Sequence, residues 1–220
     1  MPVTPPAKYW RQRYDLFEEW ENGIFADFEA WYSTTPVLVA RHQAVECIRK
    51  RKWQNAKPKR VVVLDAFCGV GGNTIAFAKA GFFVIACDID SEKIKMAKCN
   101  STVAKVDHRI EFICCDYLEM SSSARIDYIF LSPPWGGPSY TTMPRYTLSK
   151  VEICGVFGTE LISRSLLTTK DVICFLPQTS DLDDISERCK SIFKTELHYV
   201  STAQRIKAVT LYFAQQTLIR

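Results

Sequence analysis

The sequence predicts an α/β protein: seven strands in a mostly parallel sheet with helices on both faces, preceded by an N-terminal helical arm. Three observations carry this. From Arg60 onward, short apolar runs alternate with helical stretches. The first run, Val61-Val-Val-Leu64, is apolar throughout, as a strand covered on both faces must be. The stretches richest in Gly, Asp and Pro follow the apolar runs, at strand ends where open parallel sheets bind ligands.

Met1 to Ala7 is Pro-rich and is expected to lack regular structure. Tyr9, Trp10, Tyr14, Phe17 and Trp20 include spacings of three and four, which predicts an aromatic helix over Lys8 to Glu21 ended by Asn22-Gly23. Thr35 is an N-cap candidate and Pro36 a first helical residue, for a helix reaching about Lys52. Residues 53–59 read as a linker. The expected organisation is an arm over 1–55 and a core over 56–220. Within the core, Asn73 to Ala80, Ser91 to Ala104 with Ser91 as cap, Gly158 to Leu167, and Asp181 to Phe193 behind Ser180 read as helices. Phe82 to Cys87, Ile110 to Cys115, Asp127 to Leu131 and Val172 to Leu176 read as strands. Glu196 to Ser201 and Ala208 to Ala214 read as a closing antiparallel pair.

The chain has 220 residues, 47% of them hydrophobic, enough for a core without disulfide staples. Nine cysteines, none spaced as CxxC, point to a reduced intracellular protein and away from a zinc site. Cys87, Cys114 and Cys174 lie in apolar runs and are expected to be buried. No signal-peptide pattern opens the sequence and no apolar run is long enough to span a bilayer. The net charge of +4 is uneven: Arg49-Lys-Arg-Lys52 with Lys57, Lys59 and Arg60 is densely basic. That run is either a solvated helix end, a nucleic-acid contact or a nuclear localisation signal. His42, His108 and His198 stand alone and receive no catalytic or metal role.

Four strand ends carry the chemistry. Asp65-Ala-Phe-Cys68-Gly69-Val-Gly71-Gly72-Asn73-Thr74 follows a strand and opens a helix, the context in which a Gly-rich turn cradles a ligand. Asp88-Ile89-Asp90 follows about twenty residues later, where a carboxylate accepts from ribose hydroxyls. Asp116-Tyr117 is an adenine-clamp candidate. Ser132-Pro133-Pro134-Trp135-Gly136-Gly137 ends the fourth strand. Its prolines lack N–H groups but keep carbonyl acceptors, and Trp135 offers a flat face beside them. Such a ledge suits the edge and face of a nucleobase; the alternative is a strand end with a half-buried Trp. Asp65 decides between cofactors. A pyrophosphate at the glycine turn meets a carboxylate and is repelled, whereas S-adenosylmethionine (AdoMet) has no phosphate and brings an ammonium.

These residues resemble class I AdoMet-dependent methyltransferases, with their Rossmann-like fold. More narrowly, they resemble the trimethylguanosine synthase family of RNA cap guanosine-N2 methyltransferases. The similarity rests on Asp65 to Thr74, Asp88-Ile-Asp90, Glu111-Phe-Ile-Cys114 with Asp116, and Ser132 to Tyr140. It extends to Lys8-Tyr-Trp10, Gln12-Arg-Tyr14, Trp31-Tyr-Ser33 and Thr35-Pro36 in the arm, and to Ile206-Lys207, Thr210 and Tyr212-Phe213. The resemblance implies methyl transfer from AdoMet to the exocyclic N2 of 7-methylguanosine caps, on small nuclear and nucleolar RNAs. It places Asp65, Cys68, Gly69, Asp88, Ile89, Asp116 and Tyr117 on AdoMet, with Phe17 and Thr35 closing over it. It gives Trp135 stacking on the methylated guanine, and Ser132 and Pro133 the N2 amine. Lys8, Ser33, Tyr140 and Lys207 would meet the cap phosphates. The family commonly has Arg where Gln178 stands, so one phosphate contact is altered. A monomeric, nuclear protein is expected, with a cytoplasmic pool allowed and no membrane.

The chemistry agrees with that assignment. N7-methylation makes guanine cationic, and a cation over Trp135 gains roughly 0.5–2 kcal/mol. No residue of the motif is an evident general base, so the amine proton is expected to pass to water. Two other readings share residues with this one. One is a methyltransferase for guanine N2 or another amino group in structured RNA; the other is a cap-binding module without catalysis. A nicotinamide-dependent dehydrogenase is disfavoured by Asp65.

Overall fold

The computed structural model describes residues 5–53, 60–120, 125–136, 143–189, 192–200 and 205–214. The chain divides into two compact units, Met1–Ser123 and Ala124–Arg220. Its strands form a seven-stranded, mostly parallel sheet, with a separate two-stranded hairpin.

In the first unit the arm comprises α1 (Ala7–Trp10), α2 (Arg13–Leu16), a 3-10 turn at Trp20–Asn22, α3 (Ala30–Ser33) and α4 (Val37–Trp53). The single helix expected over Lys8 to Glu21 is therefore three short pieces. Gln12 breaks it at φ −93°, ψ 4°, and Phe17 is extended. The physical reason is aromatic packing: folding back lets Trp10, Trp20 and Trp31 meet with ring centroids 5.0–6.0 Å apart. A straight helix would hold Trp10 and Trp20 about 15 Å apart along its axis and could not bring both to Trp31. Gly23 ends the turn at φ +93°, as Asn22-Gly23 predicted.

Strands β1 (Val62–Asp65), β2 (Phe83–Asp88) and β3 (Ile110–Cys114) follow, parallel and in the order β3-β2-β1. Their register pairs Asp65 with Ala86 and Asp88 with Cys114, so the carboxyl ends are level. Helix α5 (Gly72–Lys79) opens from the glycine turn, and α6 (Ser91–Val103) follows β2. The cap of α6 is Asp90, not Ser91: the Asp90 carboxylate accepts from Glu92 N at 2.8 Å. Cys114 is exposed because β3 is the last strand in the sheet order and has no neighbour on one side; Cys87 is buried as expected.

In the second unit β4 (Tyr128–Leu131) is buried along its length. A hairpin of β5 (Glu152–Ile153) and β6 (Val156–Phe157) precedes α7 (Gly158–Thr168), β7 (Asp171–Pro177), α8 (Leu182–Cys189), β8 (Ile192–Val200) and β9 (Arg205–Ala214). Strand β4 runs parallel to β7, while β7-β9-β8 is antiparallel. The hairpin was not legible in the sequence. Its turn uses Cys154 and Gly155 at φ +52° and +77°, without the Asn-Gly pair that signals such turns. Helix α8 stops four residues short of the expected Phe193, because Ile192 already pairs with Phe213 in the sheet. Its cap is Asp181 instead of Ser180, since Asp181 Oδ1 accepts from Asp184 N at 3.1 Å. No described helix is long and apolar enough to cross a membrane.

Candidate active site

The first unit gathers its candidate residues at the ends of its three strands. Asp65 terminates β1 fully buried. The turn that follows is tied across to β2: Cys68 N donates to Cys87 O at 2.8 Å, and Gly69 N donates to Asp88 Oδ2 at 2.8 Å. Asp88 Oδ1 accepts from Asp90 N at 3.0 Å. Asp88 therefore organises the turn, and each oxygen keeps a second lone pair for a ribose hydroxyl. Cys115 N donates to Asp88 O at 3.1 Å, which places Asp116 beside it. Asp116 caps the 3-10 turn at Tyr117–Glu119 through Leu118 N, and the Tyr117 ring meets Phe67 edge-on at 6.0 Å. Ile89 is exposed and Cys68 buried, its thiol pushed up by burial and by the Asp65 and Asp88 charges.

The arm reaches the same turn. Phe17 is buried in one cluster with Leu16, Ala30, Trp31 and Val70. Thr35 is buried, and the Thr34 methyl stands 3.0 Å from where Gly72 would carry a Cβ. A Cβ at Gly72 would require the Thr34 methyl to give by a few tenths of an ångström. Ser33 is exposed, its hydroxyl donating to Glu29 O. Of Lys8 the backbone alone is described, within α1.

Two observations test whether this turn fits AdoMet. Gly69 lies at φ +53° with open space where a Cβ would point. Asp65 Oδ1 is buried without a hydrogen-bond partner. The Thr74 hydroxyl donates to Asp65 Oδ2 at 2.6 Å, and the Phe67 and Thr74 amides favour the charge, but none makes a bond of standard geometry to Oδ1. Burial nevertheless dominates and raises the carboxyl from 3.8 to about 7, with the Asp88 charge pushing the same way. A buried acid short of one partner is suited to a ligand cation, because the cation supplies what burial removed. AdoMet affinity is accordingly expected to be flat above about pH 7. Below it, protonation of Asp65 should weaken binding by about tenfold per pH unit. Calorimetric titrations from pH 5.5 to 8.5 check this; equal affinity at both ends would remove Asp65 from the ammonium site.

In the second unit the chain leaves β4 through Ser132, half-buried, and Pro133, buried. Pro134 is exposed and Trp135 half-buried. The Trp135 indole N–H donates to Phe175 O at 3.2 Å, and its ring lies 5.3 Å from that of Phe175 at 45°. The indole is thereby pinned to β7 while part of it stays exposed. Behind Phe175 stands His198, ring centroids 6.1 Å apart, and its Nε2 meets the buried Thr210 hydroxyl at 2.6 Å. So His198 supports the Trp platform from β8, a role its isolation in the sequence concealed. Gln178 is exposed directly after β7. Gly137 and Tyr140 lie outside the described residues, as do Lys57 and Lys59; of Lys207 the backbone alone is described, within β9.

Sequence reasoning also missed two buried amide residues. Asn73 donates to Gln43 Oε1 at 2.7 Å, joining α5 to α4. Asn100 on α6 bonds Phe25 and Val70. In both places the one available signal was an amide on a helix face otherwise given to small or apolar residues.

Parallel strands whose ends carry a glycine turn and the acids Asp65, Asp88 and Asp116 are the cofactor side of a class I AdoMet-dependent methyltransferase. Solved structures agree on the fold. The chain superposes with TM-score 0.67 on a Porphyromonas gingivalis protein provisionally described as a methyltransferase, at 14% identity, covering 94% of this chain and 47% of that one. It superposes with TM-score 0.59 on the METTL16 methyltransferase domain, at 16% identity, covering 92% and 76%. Residues 60–216 match the RNA cap guanine-N2 methyltransferase family. The chain is 37% identical to the trimethylguanosine synthase of Schizosaccharomyces pombe over 193 residues, 84% of this chain and 77% of the relative. It is 30% identical to that of Saccharomyces cerevisiae over 213 residues, 92% of this chain and 65% of the relative. The chain belongs to the RNA cap guanine-N2 methyltransferase family. As a member it takes its methyl group from AdoMet and acts on capped RNA.

Proposed function

We propose that the protein methylates N2 of 7-methylguanosine caps, with Trp135 as the surface on which the methylated base is recognised. The observation that carries this reading is the anchoring of Trp135. A half-exposed indole tethered by its N–H to Phe175 O keeps one orientation, so the face it presents is set before a base arrives. N7-methylation gives guanine a positive charge, and a cationic ring over an indole is favoured by roughly 0.5–2 kcal/mol. Ser132 and Pro133 follow the buried β4 directly and are fixed by it. The Ser132 hydroxyl and the Pro133 carbonyl accept from the N2 amine and orient it.

Bound AdoMet supplies an electrophilic methyl carried on a sulfonium. The residues that would hold it are Asp65 toward its ammonium, Asp88 toward its ribose, and Asp116 with Tyr117 toward its adenine, with Ile89, Cys68 and Gly69 lining the turn. Phe17 and Thr35 close the arm side. Lys8, Ser33, Tyr140, Lys207 and Gln178 are the phosphate contacts of the same reading. Ser-Pro-Pro-Trp offers no carboxylate, so the N2 proton leaves to water. Small nuclear and nucleolar RNAs, a monomeric state and a nuclear location complete the proposal; the basic run at Arg49, Lys50 and Arg51 suits both RNA and a localisation signal.

The test is methyl transfer from labelled AdoMet to m7GpppA and GpppA, read by mass spectrometry. A preference of roughly 2- to 30-fold for the first is expected from the cation–π difference. Equal transfer would make the protein a general guanine-N2 enzyme. The masses also count whether one or two methyl groups are added.

A further inference from the structure

We propose that Asn100 is a positioning residue for the cofactor site, latching the N-terminal arm onto the glycine turn; this rests on the AdoMet reading above. Asn100 is fully buried on α6 and belongs to none of the strand-end motifs. Its Oδ1 accepts from Phe25 N at 2.7 Å. Its Nδ2 donates to Phe25 O at 2.8 Å and to Val70 O at 2.9 Å. All three bonds go to main chain. The N–H and C=O of Phe25 are both engaged, as a neighbouring strand would engage them, and the third bond fixes the residue between Gly69 and Gly71.

The surroundings show why this amide matters to the turn. One helical turn earlier on α6, Ala97 Cβ stands 3.3 Å from where Gly71 would carry a Cβ. Helix α6 thus holds the Gly69–Gly71 segment by contact at Ala97 and by a hydrogen bond at Asn100. From the other side, Val70 packs against Phe17, Leu16 and Trp31 of the arm. The Phe25 side chain is itself exposed, so burial of that ring does not hold the loop in place. A more exposed ion pair, Lys93 Nζ to Glu29 at 2.7 Å, and the packing of Met96 against the arm cluster also join α6 to the arm. Cutting the Asn100 side chain leaves one N–H and two carbonyls without their partner at once, and each lost partner costs a buried group its hydrogen bond. The turn that meets AdoMet and the arm segment bearing Phe17 are then released together.

The experiment compares the unmodified chain, Asn100→Ala and a control, Ser165→Ala, which removes a buried hydroxyl on α7 that donates to Leu161 O. AdoMet and 7-methylguanosine triphosphate are titrated separately, KM for AdoMet is measured, and hydrogen exchange is followed at Phe25. Asn100→Ala is expected to weaken AdoMet about tenfold or more, raise its KM similarly and speed exchange at Phe25. Affinity for 7-methylguanosine triphosphate should fall less than that for AdoMet, because of its proposed contacts only Lys8 and Ser33 lie on the arm. Ser165→Ala should change neither affinity. A lower melting temperature with unchanged AdoMet affinity would overturn the latch, as would unchanged exchange at Phe25. Failure of the unmodified chain to bind AdoMet would count against the cofactor reading instead, and the exchange rate at Phe25 would still decide the latch.

Discussion

Trp135→Ala is expected to reduce cap methylation by about two orders of magnitude while leaving AdoMet affinity within about twofold. The size follows from what the indole contributes. Stacking of a base on an aromatic side chain is worth about 1–3 kcal/mol, and the charge of the N7-methylated ring adds roughly 0.5–2 kcal/mol. Together these amount to about 1.5–5 kcal/mol, or roughly 10- to 4,000-fold in kcat/KM, with two orders of magnitude near the middle. The confinement of the effect to the cap side follows from where the side chain is held. Its tether runs to Phe175 on β7, backed by His198 and Thr210, all in the second unit. The glycine turn and its acids are held within the first. Trp135→Phe separates two contributions. It keeps an aromatic face but loses the N–H that fixes the ring, so its activity should fall between the two. Parallel titrations with AdoMet and 7-methylguanosine triphosphate, alongside turnover, check the prediction. Loss of both affinities in Trp135→Ala would mean that the indole supports the fold instead of the base.

Asp65→Asn should act on the cofactor side instead: AdoMet affinity falls about a hundredfold or more, and the cofactor-free protein becomes more stable at alkaline pH. The carboxyl is fully buried, and burial raises it from 3.8 to about 7 against the Thr74 hydroxyl bond. Because the folded protein holds that proton more tightly than the unfolded chain, the favourable contribution of this group is complete below about pH 4. It is lost as pH rises through about 7. Above that, the folded chain carries a buried charge whose Oδ1 lacks a hydrogen bond, a burden of a few kcal/mol that a ligand cation relieves. Asn is neutral and can still accept from Thr74. The variant should therefore melt about 5 °C or more above the unmodified, cofactor-free chain at pH 8 and show little difference at pH 4. It should also lose the decline of AdoMet affinity below pH 7. Melting curves at both pH values with and without AdoMet decide it. A variant that melts lower at pH 8 yet binds AdoMet normally would show Asp65 to be a structural acid.

Much of the fold was legible because it rests on local rules. Val62 to Leu64 and Tyr128 to Leu131 lie in strands, since a short β-branched and aromatic run apolar on both faces suits a strand covered on both sides. Gly23 ends its turn for want of a Cβ. The acids at 65, 88 and 116 were found from their spacing after predicted strands, and the register of β1, β2 and β3 places them at one end. Local rules also explain the errors at helix starts. Asp90 and Ser91 both cap well in isolation, as do Ser180 and Asp181, and the backbone chose the acid in each pair.

What the sequence determined by itself, then, was the alternation of strand and helix, the Gly-rich turn with its acids, and the Ser-Pro-Pro-Trp ledge, because each depends on residues adjacent in the chain. Only the tertiary structure decided that the aromatic arm breaks into short pieces around Trp31, that His198 and Thr210 back Phe175 behind Trp135, and that Asn100 bonds Phe25 and Val70. Phe25 and Asn100 are 75 residues apart. An amide in a helix says only that its donors and its acceptor must be met if it is buried. Which main-chain groups meet them is fixed by where the rest of the chain packs.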